Sequence, residues 1–199
     1  MNLLLHICCA PCAIYPLKVL RGAGMRITGF FYNPNIHPYL EFKRRLDTLK
    51  EYSRQADLAV ICDETYYLRE FLRAVVGHED ERCGLCYALR LREAAKVARK
   101  GKCDAFTTTL LYSRYQQHEL IIKTAEDIAQ EYGIPFYYHD FREGWQEGID
   151  KSKALNLYRQ PYCGCIYSEQ ERYDRKLRRG KNPEVRSQNP ECRRDDKKA

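Results

Sequence analysis

The strongest constraint on how this chain can fold is the regular alternation of short apolar runs with amphipathic stretches. Leu3 to Ile7 reads as a strand, a helix is expected to open at Pro16 with proline in its first turn, and Arg26 to Tyr32 reads as a second strand. Tyr39 to Ala56 sets Phe42, Leu46 and Leu49 along one helical face with Lys and Arg on the other, and Leu58 to Cys62 returns to strand composition. A helix is expected after CGLC, through an alanine-rich stretch to about Lys100. Ala105 to Thr109 then reads as a strand, and His118 to Tyr132 as a helix with Ile121, Ala125, Ile128 and Tyr132 in register. Ile134 to His139 reads as a fifth strand, with Gly133 and Pro135 punctuating the junction. Beyond Phe141 only a short helix near Gly148 to Leu157 is assignable. Parallel neighbours need crossover helices, so the pattern predicts an α/β fold: a mostly parallel sheet flanked by helices.

A length of 199 residues suits one such domain, taken as residues 1–175, with no internal repeat and no second domain. No apolar stretch approaches the ~20 residues of a membrane span, so a soluble protein is expected. The formal charge of +7 is concentrated at the end: residues 176–199 hold nine Lys or Arg and four Asp or Glu, a net of +5, which leaves +2 for the first 175. That basic tail has few large apolar side chains and contains Pro183 and Pro190, so it is expected to be flexible. It is either a solubilising end or an arm that contacts phosphates.

Three tight cysteine groups carry the chemistry: Cys8, Cys9 and Cys12 in HICCAPC, Cys83 and Cys86 in CGLC, and Cys163 and Cys165 in CGC. MNLLLHICCA has no basic lead and a very short apolar run, so it does not read as a secretory leader. The thiols are therefore expected to stay reduced, in the cytoplasm. In that setting closely spaced cysteines point to metal or redox chemistry rather than to a disulfide framework. Each pair alone is unspecific, since CxxC fits a redox dithiol, half a zinc knuckle or part of an iron-sulfur site. Together the seven exceed what one tetrahedral zinc needs, whereas a cluster takes four thiolates and leaves a surplus for a second metal. Adjacent Cys8 and Cys9 are expected to point different ways and so to serve two neighbouring metals. Cys62, Cys103 and Cys192 read as a buried apolar residue, a residue before a strand and a tail residue, not as ligands.

HICCAPC falls where the first strand ends, and ligands of such sheets gather at the carboxyl ends of strands. Asn33 and Asn35 of the YNPNIHP loop suit turns. The donor-rich run from Thr107 to His118 follows the fourth predicted strand and sits at the same carboxyl edge. His6 is either a ligand or a satisfied core histidine, and the sixteen tyrosines offer either stacking surfaces or ordinary filling.

With HICCAPC, YNPNIHP, RCGLCY, TTTLLYSRYQQHE and YCGC in order, the chain from Met1 to about Glu171 resembles the cobalamin-independent epoxyqueuosine reductases of the QueH type. The resemblance implies an oxidoreductase that reduces the epoxide of epoxyqueuosine, at the wobble position of a tRNA anticodon, to queuosine. It implies a 4Fe-4S cluster with an additional iron beside it, an external electron donor, and a fold similar to the nucleotide alpha-hydrolase (HUP-like) group. The glycine-rich pyrophosphate loop of ATP-using members of that group is replaced here by CCAPC, which speaks against ATP chemistry. Cys9, Cys83, Cys86 and Cys163 are assigned to the cluster, and Cys8, Cys12 and Cys165 to the single iron.

Turning an epoxide into an alkene takes two electrons and protons, while a cluster usually gives one electron at a time, so a second redox or Lewis-acid metal is useful. Tyr115 or His118 would supply a proton or orient the modified base. The anticodon stem-loop suits such a site because its bases are single-stranded. Arg44, Arg45 and the tail are expected to contact phosphates, or else to be solvated charges. Two other classes stay open: a zinc-containing nucleic-acid-binding module without catalysis, and a thiol-disulfide oxidoreductase working through Cys83 and Cys86.

Overall fold

In the computed structural model, which describes residues 1–176, four strands form one sheet: β1 (Asn2–His6), β2 (Arg26–Phe31), β3 (Val60–Cys62) and β4 (Ala105–Thr108). Their order is β3-β2-β1-β4 and every pair is parallel, with Leu5 level with Gly29 on one side and Thr107 on the other. Leu3, Leu4 and Leu5 are all buried, the near-continuous apolar run of a strand covered on both faces. Helices α1 (Ala10–Gly22) and α2 (Tyr39–Gln55) carry the chain from β1 to β2 and from β2 to β3. The return to β4 passes through α3 (Leu68–Val75) and α4 (Arg82–Lys100), and α5 (His118–Tyr132) packs beside α4. Helices α6 (Trp145–Ala154) and α7 (Ile166–Tyr173) follow. Among the described residues no helix is long and apolar enough to cross a membrane.

The α/β layering is the one expected, and so is α5 at both ends. Gly133, at φ +60°, closes α5 in the left-handed conformation that a residue without Cβ takes without strain. Strand order reverses at β1: the chain steps outward to β2 and β3, then crosses back to β4 on the other side. The crevice beyond the carboxyl ends of β1 and β4 is therefore the topological switch point, where such sheets bind ligands.

Four elements differ from expectation. Helix α1 opens at Ala10, not Pro16, because Cys9 is the extended N-cap (φ −169°, ψ 161°) and Pro11 occupies the first turn. Pro16 lies inside the helix, where it has no N–H to give the Cys12 carbonyl. Helix α4 opens at Arg82, so CGLC forms its first turns instead of preceding it. Residues Ile134 to His139 form no strand. The Phe106 N–H reaches the Pro135 carbonyl at 3.0 Å and Tyr137 N–H reaches the Phe106 carbonyl at 2.8 Å, a single bridge. Pro135 has no N–H to extend the ladder, and Asp140 then caps a 3-10 turn at Phe141–Gly144. The short helix after it starts at Trp145 and ends at Ala154. The basic tail from residue 177 onward, Cys192 included, lies outside the described residues.

Candidate metal centre

Cys8 leaves the end of β1, and its backbone N–H donates to Thr109 Oγ1 (3.1 Å) just beyond β4, so the pairing of the two strands fixes its place. The Thr109 hydroxyl in turn faces Cys8 Sγ at 3.4 Å. Asn33 Nδ2 donates to the Ile7 carbonyl at 2.9 Å and holds the strand end from the other side. His6 is the satisfied core histidine of the two options. Its Nε2 donates to the Tyr32 carbonyl (3.1 Å), leaving Nδ1 to accept from the Thr108 hydroxyl (2.9 Å), so neither nitrogen is left for a metal.

The sulfurs of Cys8, Cys9 and Cys12 all lie within 4.8 Å of one another. Cys8 Sγ and Cys9 Sγ are 3.8 Å apart, which corrects the expectation that adjacent cysteines diverge. Divergence holds for a continuing strand, whereas here the chain turns from strand to helix at Cys9 and brings the first helical turn back over Cys8. Hydrogen bonds from Cys12 and Cys9 hold the Cys8 thiol well below its ordinary range. Burial pushes Cys9 up, and the bond to Cys8 pushes Cys12 up. In such a trio Cys8 gives up its proton most readily, and binding a cation favours the thiolate form of the other two.

Cys83 and Cys86 project from the first turns of α4 toward Cys163 and Cys165. Burial raises both thiols of α4, Cys86 to about 12, and the charges of Cys163 and Cys165 raise them further. Cys86 and Cys165 share a small apolar cluster with Phe71 and Val75 of α3. Cys165 caps α7, its sulfur accepting from the Ser168 N–H at 3.3 Å. Cys163 is exposed, and its sulfur accepts from Gln116 Nε2 at 3.2 Å. Gln116 is oriented by Tyr87, whose hydroxyl donates to Gln116 Oε1 at 2.8 Å. Gln160 Nε2 faces Cys12 Sγ at 3.4 Å.

Cys8, Cys12 and Cys163 line one cavity of about 500 Å³. Arg90, Gln116 and Gln160 also line it, as do Tyr115, Trp145, Arg159 and Arg172. The fold thus places Cys9 with Cys8 and Cys12, and packs Cys86 of α4 with Cys165 of the CGC loop. Cys62 and Cys103 are half-buried and pack against the core.

Tyr115 is 83% exposed and packs edge-on against Trp145, with ring centroids 5.6 Å apart. His118 does not line the cavity. It is buried at the start of α5, with Nε2 3.2 Å from the Tyr138 hydroxyl. Arg44 is exposed, its guanidinium 4.5 Å from the centre of the Tyr158 ring. Arg45, expected at the surface against phosphate, is 1% exposed and pairs with Glu41 at 2.7 Å. Its place on the inner face of α2, one turn after Glu41, turns the charge into the protein. Sequence reasoning passed over Arg90, Thr109, Gln116 and Gln160. Thr109 and Gln116 stood in the quoted TTTLLYSRYQQHE run, and Arg90 stands one helical turn after Cys86, a spacing that puts it on the cysteine's face.

The family model described as "Epoxyqueuosine reductase QueH" matches residues 3–171. A protein of Dehalococcoides mccartyi named epoxyqueuosine reductase QueH is 37% identical over 172 residues, covering 86% of this chain and 94% of its own. A protein of Thermotoga maritima with the same name is 35% identical over 183 residues, covering 87% and 93%. A third, from Helicobacter pylori, is 36% identical over 180 residues, 83% of this chain and 49% of its own length.

Proposed function

This chain belongs to the epoxyqueuosine reductase QueH family, and we propose on that premise that it reduces the epoxide of epoxyqueuosine in a tRNA anticodon to the cyclopentene of queuosine. The observation that supports the proposal is that Cys8, Cys12 and Cys163, from two distant stretches of chain, line one cavity at the switch point of the sheet, with Cys9 beside the first two and Cys86 of the third stretch packed with Cys165.

The donor set fits iron: it is all sulfur, it exceeds the need of one structural zinc, and amide and hydroxyl donors already face three of the sulfurs. The closeness of Cys8, Cys9 and Cys12 supports a division other than the one assigned from the sequence. Cys83, Cys86, Cys163 and Cys165 hold the 4Fe-4S cluster, and Cys8, Cys9 and Cys12 hold the additional iron. When bound, these groups supply electrons singly and a Lewis acid for the epoxide oxygen. Gln116, Gln160 and Thr109 keep the thiolates oriented. Tyr115 and Trp145 offer an aromatic face on which an unstacked base can rest, and a cavity of about 500 Å³ suits a single nucleoside. Arg159 and Arg172 beside the cavity take the place of Arg45 as phosphate contacts. His118, away from the cavity, has no role at the reacting atoms. Electrons come from an external donor, and the nine free cysteines among the described residues suit the reducing cytoplasm.

A dithiol oxidoreductase is not favoured. Its attacking sulfur needs a lowered pKa, and both Cys83 and Cys86 are raised. The test is incubation of reduced, iron-loaded protein with epoxyqueuosine-containing tRNA, followed by nucleoside mass analysis and by iron and sulfide analysis of the protein. Loss of one oxygen from the nucleoside, on protein holding both elements, is expected. Protein purified without oxygen that holds zinc and no sulfide would return the zinc-module alternative.

A further inference from the structure

Two arginines are fully buried near the thiols, and they differ in one respect. Arg45 already has its partners: the Glu41 carboxylate at 2.7 Å and the carbonyls of Cys163 and Tyr162 at 2.8 and 3.0 Å. Arg90, also 1% exposed, has none of these. Its Nε donates to the Cys86 carbonyl at 3.1 Å, one turn back on α4, but no carboxylate forms an ion pair with it among the described residues. Its Nη2 is buried with no hydrogen-bond partner, and the side chain lines the cavity. A guanidinium cannot shed its charge, and although the Tyr87 ring faces it with its centroid 5.7 Å from Cζ, no anion matches it in a place where charge is costly. The groups on which that charge bears are Cys86, Cys163 and Cys8, one from each cysteine stretch.

We propose that Arg90 is the counter-cation of the thiolate site, a buried guanidinium with no carboxylate partner whose charge the metal-bound thiolates around the same cavity would match. It is a positioning residue for both thiol groups, since it lines the cavity with Cys8, Cys12 and Cys163 and is bonded to the Cys86 carbonyl. The proposal rests on the metal-thiolate reading above, and it makes an unusual demand: removing a buried arginine should leave the metal-free protein as stable as before, or more so. Hydrophobic side chains of similar volume have that effect at buried charges that lack compensation.

The experiment compares wild type, Arg90→Met and Arg90→Lys as reduced, metal-free protein, by thermal unfolding and by titration with cobalt(II), whose thiolate charge-transfer absorption reports sulfur ligation. Arg90→Met should melt at or above the wild-type temperature and bind cobalt on the order of tenfold to a hundredfold more weakly, the loss expected for a charged hydrogen bond. Arg90→Lys should fall between the two in affinity. Unchanged cobalt affinity in Arg90→Met overturns the proposal. So does a metal-free Arg90→Met that is less stable or unfolded, since ordinary packing loss would then account for it. Cobalt binding does not depend on cluster assembly, so a wild type that takes up no iron and sulfide would sink the functional reading and leave this comparison intact.

Discussion

The guanidinium of Arg45 donates to the carbonyl of Cys163 at 2.8 Å, tying the inner face of α2 to the backbone of the CGC loop across 118 residues of sequence. The same side chain reaches the Tyr162 carbonyl, and the Tyr158 hydroxyl donates to Glu41, so one buried ion pair anchors the whole approach to the third cysteine group. The two side chains are only 1% and 9% exposed, which makes the pair far more than a surface salt bridge.

Breaking that pair should be severe. Glu41→Ala leaves a buried guanidinium without its carboxylate and should cost about 3 kcal/mol of stability. Urea unfolding of the metal-free protein measures it. A loss well under 1 kcal/mol would mean that the Cys163 and Tyr162 carbonyls alone hold Arg45.

The loop itself depends on Gly164, which sits at φ +146° between the two cysteines. A Cβ there would lie 3.0 Å from Asn35 Nδ2 and 3.3 Å from Arg45 Nη1, besides facing a backbone conformation that other residues rarely adopt. Gly164→Ala should therefore move Cys163 relative to Cys165 and cost roughly 1–3 kcal/mol. Iron and sulfide content after reconstitution reads the first effect and thermal unfolding the second. A variant that assembles metal like wild type would show that the loop can absorb the change.

Much of the fold was legible because the sheet is parallel and its strands are joined by long helices. Apolar runs such as Leu3–Leu5 and the regular spacing of Ile121, Ala125 and Ile128 in α5 carry a signal that needs no tertiary information. The stretch Ile134–His139 has strand composition, but Pro135 removes a ladder donor, and tertiary pairing decides the outcome there. That Cys8, Cys9 and Cys12 come together as a possible metal site was also readable, since HICCAPC crowds three thiols into five residues. The approach of Cys8 to Cys9 and the packing of Cys86 with Cys165 were not, because they depend on the turn at Cys9 and on how α4 meets the CGC loop. Arg45 and Arg90 were the least readable, since arginine in a sequence reads as surface and only packing reveals a buried one.

Tyr115 separates two roles by its substitutions. If its ring supports the unstacked base, Tyr115→Phe keeps turnover near wild type, while Tyr115→Ala raises KM for tRNA by about tenfold or more, the worth of one base-aromatic stack. If its hydroxyl delivers a proton, Tyr115→Phe should lower kcat instead. Exposure of 83% and edge-on packing against Trp145 favour the stack, and steady-state kinetics with the modified tRNA decides.

Stability should also carry a signature of buried neutral histidine. Burial first and the Arg90 charge second lower His6 to about 4, and burial lowers His37 to about 4 as well. Between their ordinary value of about 6.5 and about 4, the unfolded chain binds protons that the folded chain does not, so stability rises with pH across this window. It is fully present above about 6.5 and is lost as pH falls toward about 4, by roughly 3 kcal/mol for His6 alone. Carboxylates titrate at the lower end of the same range, so the His6 contribution is isolated by comparison with His6→Gln, which cannot take up the proton. Urea unfolding at a series of pH values should give a visibly shallower slope for the variant between pH 6.5 and 4.5. Parallel slopes would mean that His6 becomes protonated inside the folded protein, and the bonds from Thr108 and to Tyr32 would then not be those that hold it.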